Sequence, residues 1–422
     1  MPKLLVLDTS FTFEAIRQRK LEHSVTCRDL DGFFSHVWTV HPFATLLTSP
    51  GWSARFGKPQ FHEIDARNTF IEGKIGRYAA LRRIPALNFL LAQLGVFLLL
   101  YRLIRRERID VIRVGDPHFL GLVGWALARV TGIKVAIRVC ANYDVNRANS
   151  GQAIQPRLFR SQRLEKVVER FLLARFDLVA GANQDNLDYA LANRARPECS
   201  TLFRYGNLID AAHLVAPEAR PDGAGELAEL RVADRGFLIS VARLEHGNGI
   251  KRPLDVIKAL IVSRERGHDV AAVLVGDGPL RPSLEQFARD NGVAEHVRFT
   301  GNRDQKWLAT ILPHAAVFVS PHAGRALTEA AFACIPAVGY DIDWQRELLI
   351  DDVTGYLVQF GDHRALADRV VDMLADPVAA KRMAEALHDR GRAMLDPDRL
   401  NDHERAVYTQ LLGRGGFQAA EL

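Results

Sequence analysis

Short apolar runs separated by longer stretches of helical periodicity organise this chain. In its first half, residues 3–7 (KLLVL), 36–40 (HVWTV), 110–114 (DVIRV), 134–139 (KVAIRV) and 177–180 (DLVA) are apolar over too few residues for a helix. That is the character of strands enclosed on both faces. Residues 78–107, 119–130, 161–176 and 184–194 lie between or after them and read as helices. Such alternation predicts a parallel sheet with helices on both sides.

Across residues 211–235 the pattern fails, with Pro217, Pro221, Gly223 and Gly225 set among alanines and charges, as in a linker or a loose domain opening. A second alternation follows, with strands expected at 236–241, 270–275, 297–300, 315–319 and 337–340 and helices at 253–266, 282–291 and 305–312. The tail, 364–412, is largely helical. The economical architecture is α/β, two Rossmann-like domains facing across a cleft, with ligands at the carboxyl ends of the strands. We expect domains at 1–210 and 211–385, and a helical tail at 386–422 that can cross back to the first domain.

Composition agrees with two soluble domains: 422 residues, 48% hydrophobic and 25% charged, are too many for one core. Cys27, Cys140, Cys199 and Cys334 lie far apart, and the opening MPKLLVLDTS lacks a signal-peptide pattern. A reducing cytoplasmic compartment is therefore expected, at the inner face of the membrane if the chain touches one. The net charge is only +5, yet Arg77, Arg82, Arg83, Arg102, Arg105 and Arg106 flank the apolar run 89–101 (FLLAQLGVFLLLY). That run is too short to span a bilayer. It reads either as a core helix or as a peripheral contact with an anionic membrane. No nucleic-acid module accompanies the basic residues, so a nucleic-acid partner is not expected.

Candidate chemistry gathers in the second half. The segment SPHAGRALTEAAFACIPAVGYD from Ser320 follows an apolar strand with a tight turn and a helix that Pro336 stops. A helix N-terminus there can hold a diphosphate, with Arg325 adding a cation and Glu329 accepting hydrogen bonds from a ribose diol. A Glu in a first turn can equally just complement the helix dipole. Two further strand ends carry Arg243, with Lys251 beyond a glycine-containing turn, and Gly276-Asp277-Gly278-Pro279. An Arg and a Lys can clamp a diphosphate, and glycines let backbone approach a ligand.

The order VARL, Lys, VLVGDGP, VRFTGN, FVSP, Gly, Glu-Ala, Pro and DDVTGYLV over residues 236–376 resembles the donor domain of retaining glycosyltransferases of family 4, which have the GT-B fold. A fainter likeness rests on YGNLID, 205–210. The resemblance implies that Arg243 and Lys251 hold the donor diphosphate and stabilise the leaving group. It implies that Glu329 binds the ribose and that residues around Gly278 and Asn302 shape the base pocket. Where the family has a first glutamate, eight positions before Glu329, this chain has Pro321. Donor contacts then fall to His322, Gly324 and Arg325, with Ala326 and Leu327 at the helix start. Arg and Lys are also further apart than is usual. Cys140 stands where many members have a histidine, which leaves sugar-contacting chemistry there to Asn142 or Asp144.

Retaining transfer without a strong nucleophile is mainly electrostatic stabilisation of the departing phosphate. It requires neither a divalent metal nor a cofactor, the nucleotide sugar being a donor substrate. Asp341 and Asp343 have Asp-x-Asp spacing but suit a capping or donor-sugar role. The expected partners are a nucleotide-sugar donor and a glycan or lipid-linked acceptor. A nucleotide-sugar epimerase and a non-catalytic binding subunit are the competing readings.

Overall fold

The computed structural model describes residues 1–46, 52–155, 158–159, 161–204, 209–215, 220–245, 251–322 and 324–413. The YGNL part of the 205–210 likeness, the glycine turn at 246–250 and Ala323 fall outside them. The chain divides into two compact units, one of Met1–Leu208 with Asp398–Leu422 and one of Ile209–Pro397.

The first unit is built on eight strands: β1 (Lys3–Leu7), β2 (His36–His41), β3 (Gln60–Asp65), β4 (Asn68–Glu72), β5 (Val111–Val114), β6 (Lys134–Val139), β7 (Leu178–Gly181) and β8 (Ser200–Leu202). Their order is β3-β4-β2-β1-β5-β6-β7-β8. All pair in parallel except β3, which runs antiparallel to β4. The central strands are buried, as their apolar runs require.

The β3–β4 hairpin is absent from the sequence reading. β3 lies at the sheet edge, exposed or half-buried throughout, and has only Phe61 and Ile64 as apolar residues, so it has no apolar run. Its turn is fixed by Asp65, whose carboxylate accepts from the Arg67 N–H at 2.8 Å and from Asn68 Nδ2 at 3.0 Å.

The second unit has six strands, all parallel: β9 (Gly236–Val241), β10 (Val270–Val275), β11 (Val297–Gly301), β12 (Val317–Ser320), β13 (Ala337–Asp341) and β14 (Tyr356–Gln359). The order β11-β10-β9-β12-β13-β14 is the doubly wound arrangement. The strand order reverses between β9 and β12, and ligands of such sheets bind at that point, outside the carboxyl ends. The sequence placed Arg243 and the Ser320 turn at the ends of these two strands.

The tail divides between the units. Helix Pro377–Leu395 packs on helix Ala326–Phe332 of the second unit, with Gly391 close against Ala331, so residues 386–397 lie with that unit. Helix Pro397–Leu412 belongs to the first. Its Tyr408 packs against Phe34 and Phe203, ring centroids 5.1 and 5.6 Å away. It joins a core with Leu4, Val6, Val37, Val111 and Leu178. Glu404, 1% exposed, faces Arg113 at 3.9 Å and Arg138 at 3.6 Å.

The Pro85–Glu107 helix differs from its expected form. It is continuous over 23 residues and is long and apolar enough to cross a membrane by length and composition. It nonetheless buries Val96, Leu100, Leu103 and Ile104 in the core of the first unit.

Candidate functional site

The ends of β9, β10 and β11 are stitched by backbone. The Ala242 N–H donates to Val275 O at 2.9 Å, Leu244 to Asp277 O at 3.0 Å and Gly276 to Gly301 O at 2.9 Å. A Cβ on Gly276 would lie 1.9 Å from the Ala242 carbonyl oxygen, and one on Gly278 2.4 Å from that of Leu244. The sequence assigned the closeness these glycines permit to a ligand. The structure shows chain against chain: they let two strand-end loops lie in contact. Asn302 is exposed one residue beyond β11.

Arg243, which follows β9, and Lys251 meet at one atom. Arg243 Nη2 lies 3.0 Å from Glu245 Oε1, and Lys251 Nζ lies 2.7 Å from the same oxygen. Their separation in sequence therefore does not keep them apart. Glu245 was not singled out by sequence, since nothing in one acidic residue between two cations says that both will turn to it. Both cations can thus engage a single anionic oxygen.

His322 is 5% exposed and holds its ring against the end of β9, where it hydrogen-bonds the Val241 carbonyl. Burial, and then the charge of Lys251, hold its pKa at about 4 despite that bond. At neutral pH it is an uncharged imidazole. Its ring fixes the turn at Gly324, where a Cβ would stand 3.3 Å from Nε2. Ser320 Oγ donates to Gln345 Oε1 at 2.5 Å, and Gln345 Nε2 donates to Tyr340 O at 2.9 Å. The fully buried Gln345 thus ties the ends of β12 and β13 together, a role its place in a short helix did not reveal.

Ala326–Phe332 is buried at all seven positions, with Arg325 at its N-cap and Ala326 and Leu327 opening it. Glu329 lies in its first turn, 8% exposed, and its carboxylate has no hydrogen bond or ion pair among the described residues. The neighbouring Thr328 Oγ1 is buried without a hydrogen-bond partner among the described residues. A carboxylate with no donor from the protein around it can accept hydrogen bonds from the hydroxyls of a ligand. Asp341, at the end of β13, pairs with Arg346 at 2.9 Å.

In the first unit Asn142 caps helix Tyr143–Ser150, accepting from the Asp144 and Val145 N–H groups at 3.2 and 3.3 Å. Cys140 is exposed. Asp144 accepts from Arg147 Nη2 at 2.7 Å, from Asn193 Nδ2 at 2.8 Å and from Lys166. Burial raises its pKa, but these three donors outweigh it and bring the carboxyl to about 2.

Behind Asp144, Arg147 contacts Glu165 at 3.2 Å and Glu169 at 2.8 Å, and Glu169 contacts His118 Nε2 at 3.1 Å. His118, Glu165 and Glu169 are fully buried. The structure makes Asp144 the outer member of this network, its oxygens already engaged. Sequence placed Glu165 and Glu169 on a helix but had no means of pairing them with Arg147.

Residues 228–390 match a family model described as glycosyl transferases group 1. The chain is 26% identical over 198 residues to the alpha-D-kanosaminyltransferase of Streptomyces kanamyceticus, covering 45% of this chain and 50% of that protein. It is 32% identical over 178 residues to the GDP-mannose-dependent alpha-(1-6)-phosphatidylinositol monomannoside mannosyltransferase of Mycolicibacterium smegmatis, covering 39% and 46%. The chain thus spans about half the length of the curated relatives it matches.

Sucrose-phosphate synthase from Thermosynechococcus elongatus superposes with a TM-score of 0.71 at 18% identity, over 97% of this chain and 99% of that one. Anabaena HepE, solved in complex with UDP, does so at 0.68 and 17%, over 96% and 99%. Both have the GT-B fold, and this chain shares it.

Proposed function

We propose that the chain transfers a sugar, with retention, from a nucleoside-diphosphate donor to a lipid-linked or polysaccharide-related acceptor. The observation that carries this reading is the meeting of Arg243 and Lys251 on one carboxylate oxygen where the strand order of the second sheet reverses. The likeness of residues 228–390 to group 1 glycosyl transferases supports it.

A donor diphosphate displaces Glu245 and takes both cations. As the bond from sugar to phosphate breaks, charge grows on the phosphate oxygens, and two cations already in place stabilise it without reorganising. Glu329 accepts hydrogen bonds from the ribose hydroxyls, and these replace the donors it lacks. Gly278 and Asn302 border the base. His322, uncharged and locked to Val241, takes up part of the sugar-facing surface that Pro321 cannot provide, together with Gly324 and Arg325. The two cations offset the diphosphate charge, so the reading calls for no metal. Four free cysteines suit a reducing cytoplasmic compartment.

The test is a thermal-shift and calorimetric screen of the full chain against uridine, guanosine, adenosine and thymidine diphosphate sugars, followed by turnover with the best binder. Arg243→Ala and Glu329→Ala should abolish donor turnover while melting near the native temperature; normal turnover in both overturns the proposal. A donor converted to its epimer without acceptor would identify an epimerase, and a donor bound but never consumed a binding subunit.

A further inference from the structure

The Pro85–Glu107 helix has two apolar faces, and the core of the first unit uses one of them. Opposite the buried positions, Leu87, Leu90, Leu94 and Leu98 recur at helical spacing and are 43–63% exposed. This stripe is about 16 Å long at 1.5 Å per residue. Arg82 and Arg83 precede it, and Arg102 and Arg105 continue it toward the helix C-terminus, all exposed. Beside the C-terminal half lies a groove of about 450 Å³ whose lining includes Lys58, Phe61, Arg77, Leu98, Arg102 and Arg106. Arg77 stacks on Tyr78 at 5.9 Å.

Elsewhere many arginines are matched by acids, as Arg28 is by Asp8 and Arg252 by Asp255. Here the acid is Glu107, shared by Arg106 and Lys3. Lys58, Arg77, Arg82, Arg83, Arg102 and Arg105 have no carboxylate partner among the described residues. An exposed leucine stripe and a set of uncompensated cations each call for a partner, and together they call for one that is apolar in its interior and anionic at its edge.

We propose that this face docks on a bilayer containing anionic phospholipid, the leucines entering the interface and the guanidinium groups meeting headgroup phosphates. A second copy of the chain does not fit as well, because a self-paired face would set arginine against arginine. A polyanion in solution has no use for the leucines. The proposal gives the transferase reading its membrane partner but stands on different residues, all in the first unit.

The test is flotation of the full chain, without donor, on phosphatidylcholine vesicles with and without phosphatidylglycerol. Binding should require phosphatidylglycerol and weaken with salt. Leu90→Ser with Leu94→Ser, and separately Arg102→Glu with Arg105→Glu, should each lower partitioning by about tenfold or more at an unchanged melting temperature. Absent binding, or folded variants that bind like the native chain, would overturn the proposal. So would sedimentation showing a dimer that the leucine substitutions dissociate. Because donor is left out, failure here leaves the donor site untouched, and an inactive Arg243→Ala protein must still float with anionic vesicles.

Discussion

Asp144 and Glu329 are carboxylates of similar standing in the sequence, each early in a helix that follows a parallel strand, and the fold treats them in opposite ways. Asp144 is half-exposed, yet three donors saturate it. Glu329 is shielded, yet its side chain has no partner among the described residues. The first arrangement stabilises the unit that holds it. The second leaves two oxygens that the protein does not engage and that a ligand's donors can take. Satisfaction of charge, more than position on the sheet, separates a structural carboxylate from a candidate binding one.

That contrast breaks if the two networks respond alike to substitution. The largest effect is expected at Arg147: Arg147→Met takes the one cation from buried Glu165, leaving it two backbone N–H donors, and leaves Glu169 to Lys166 and His118, which should cost about 3–5 kcal/mol in urea denaturation. Arg243→Ala should do the reverse, lowering turnover by about 10²–10³-fold with little change in the urea midpoint. Glu329→Gln should leave stability equal or higher, since no ion pair is lost, while weakening donor binding in calorimetry. Glu245→Gln should tighten donor several-fold, roughly the worth of one partly exposed ion pair, because a competing carboxylate loses its charge; weaker binding would show that Glu245 assists the donor.

A different kind of effect is a pH dependence that separates imidazoles from carboxylates. His322 and His41 titrate near 4 in the fold, below their ordinary 6.5, chiefly through burial. The unfolded chain therefore takes up protons first, and stability should fall as pH drops from 6.5 toward 4. Asp8 and Asp144, brought to about 2 from 3.8, hold their contribution above 3.8 and lose it below that. Melting temperature against pH should show two separate declines, and His322→Gln should shrink only the upper one.

Much of the fold is legible in the chain because its central strands are buried on both faces, which writes them as uninterrupted apolar runs. The β3–β4 hairpin escaped because β3 is an exposed edge and β4, though buried, has only Phe70 and Ile71 as apolar residues. The Pro85–Glu107 helix shows a subtler limit. Leucines at 90 and 94 and valine at 96 look equivalent in sequence, and only packing decides which of them meets the core. At the site, residue types at the ends of β9 and β12 were readable, because turn chemistry is local. Glu245 bridging Arg243 and Lys251, and Gln345 tying β12 to β13, were not, because each depends on side-chain direction across the fold. Gly276 and Gly278 were found, and the structure adds their close packing on neighbouring backbone.

The Pro397–Leu412 helix orders events at the ribosome. The first unit begins at the N-terminus, yet its core lacks Tyr408, and Arg113 and Arg138 lack Glu404, until nearly the whole chain has been made. The second unit, from Ile209 to Pro397, has all its residues earlier. Domains usually mature in the order of synthesis; here the later-made unit can finish first, while the earlier one waits for the carboxylate that faces Arg113 and Arg138. A released chain ending at Pro397 should therefore carry a protease-resistant second unit beside a protease-sensitive first one.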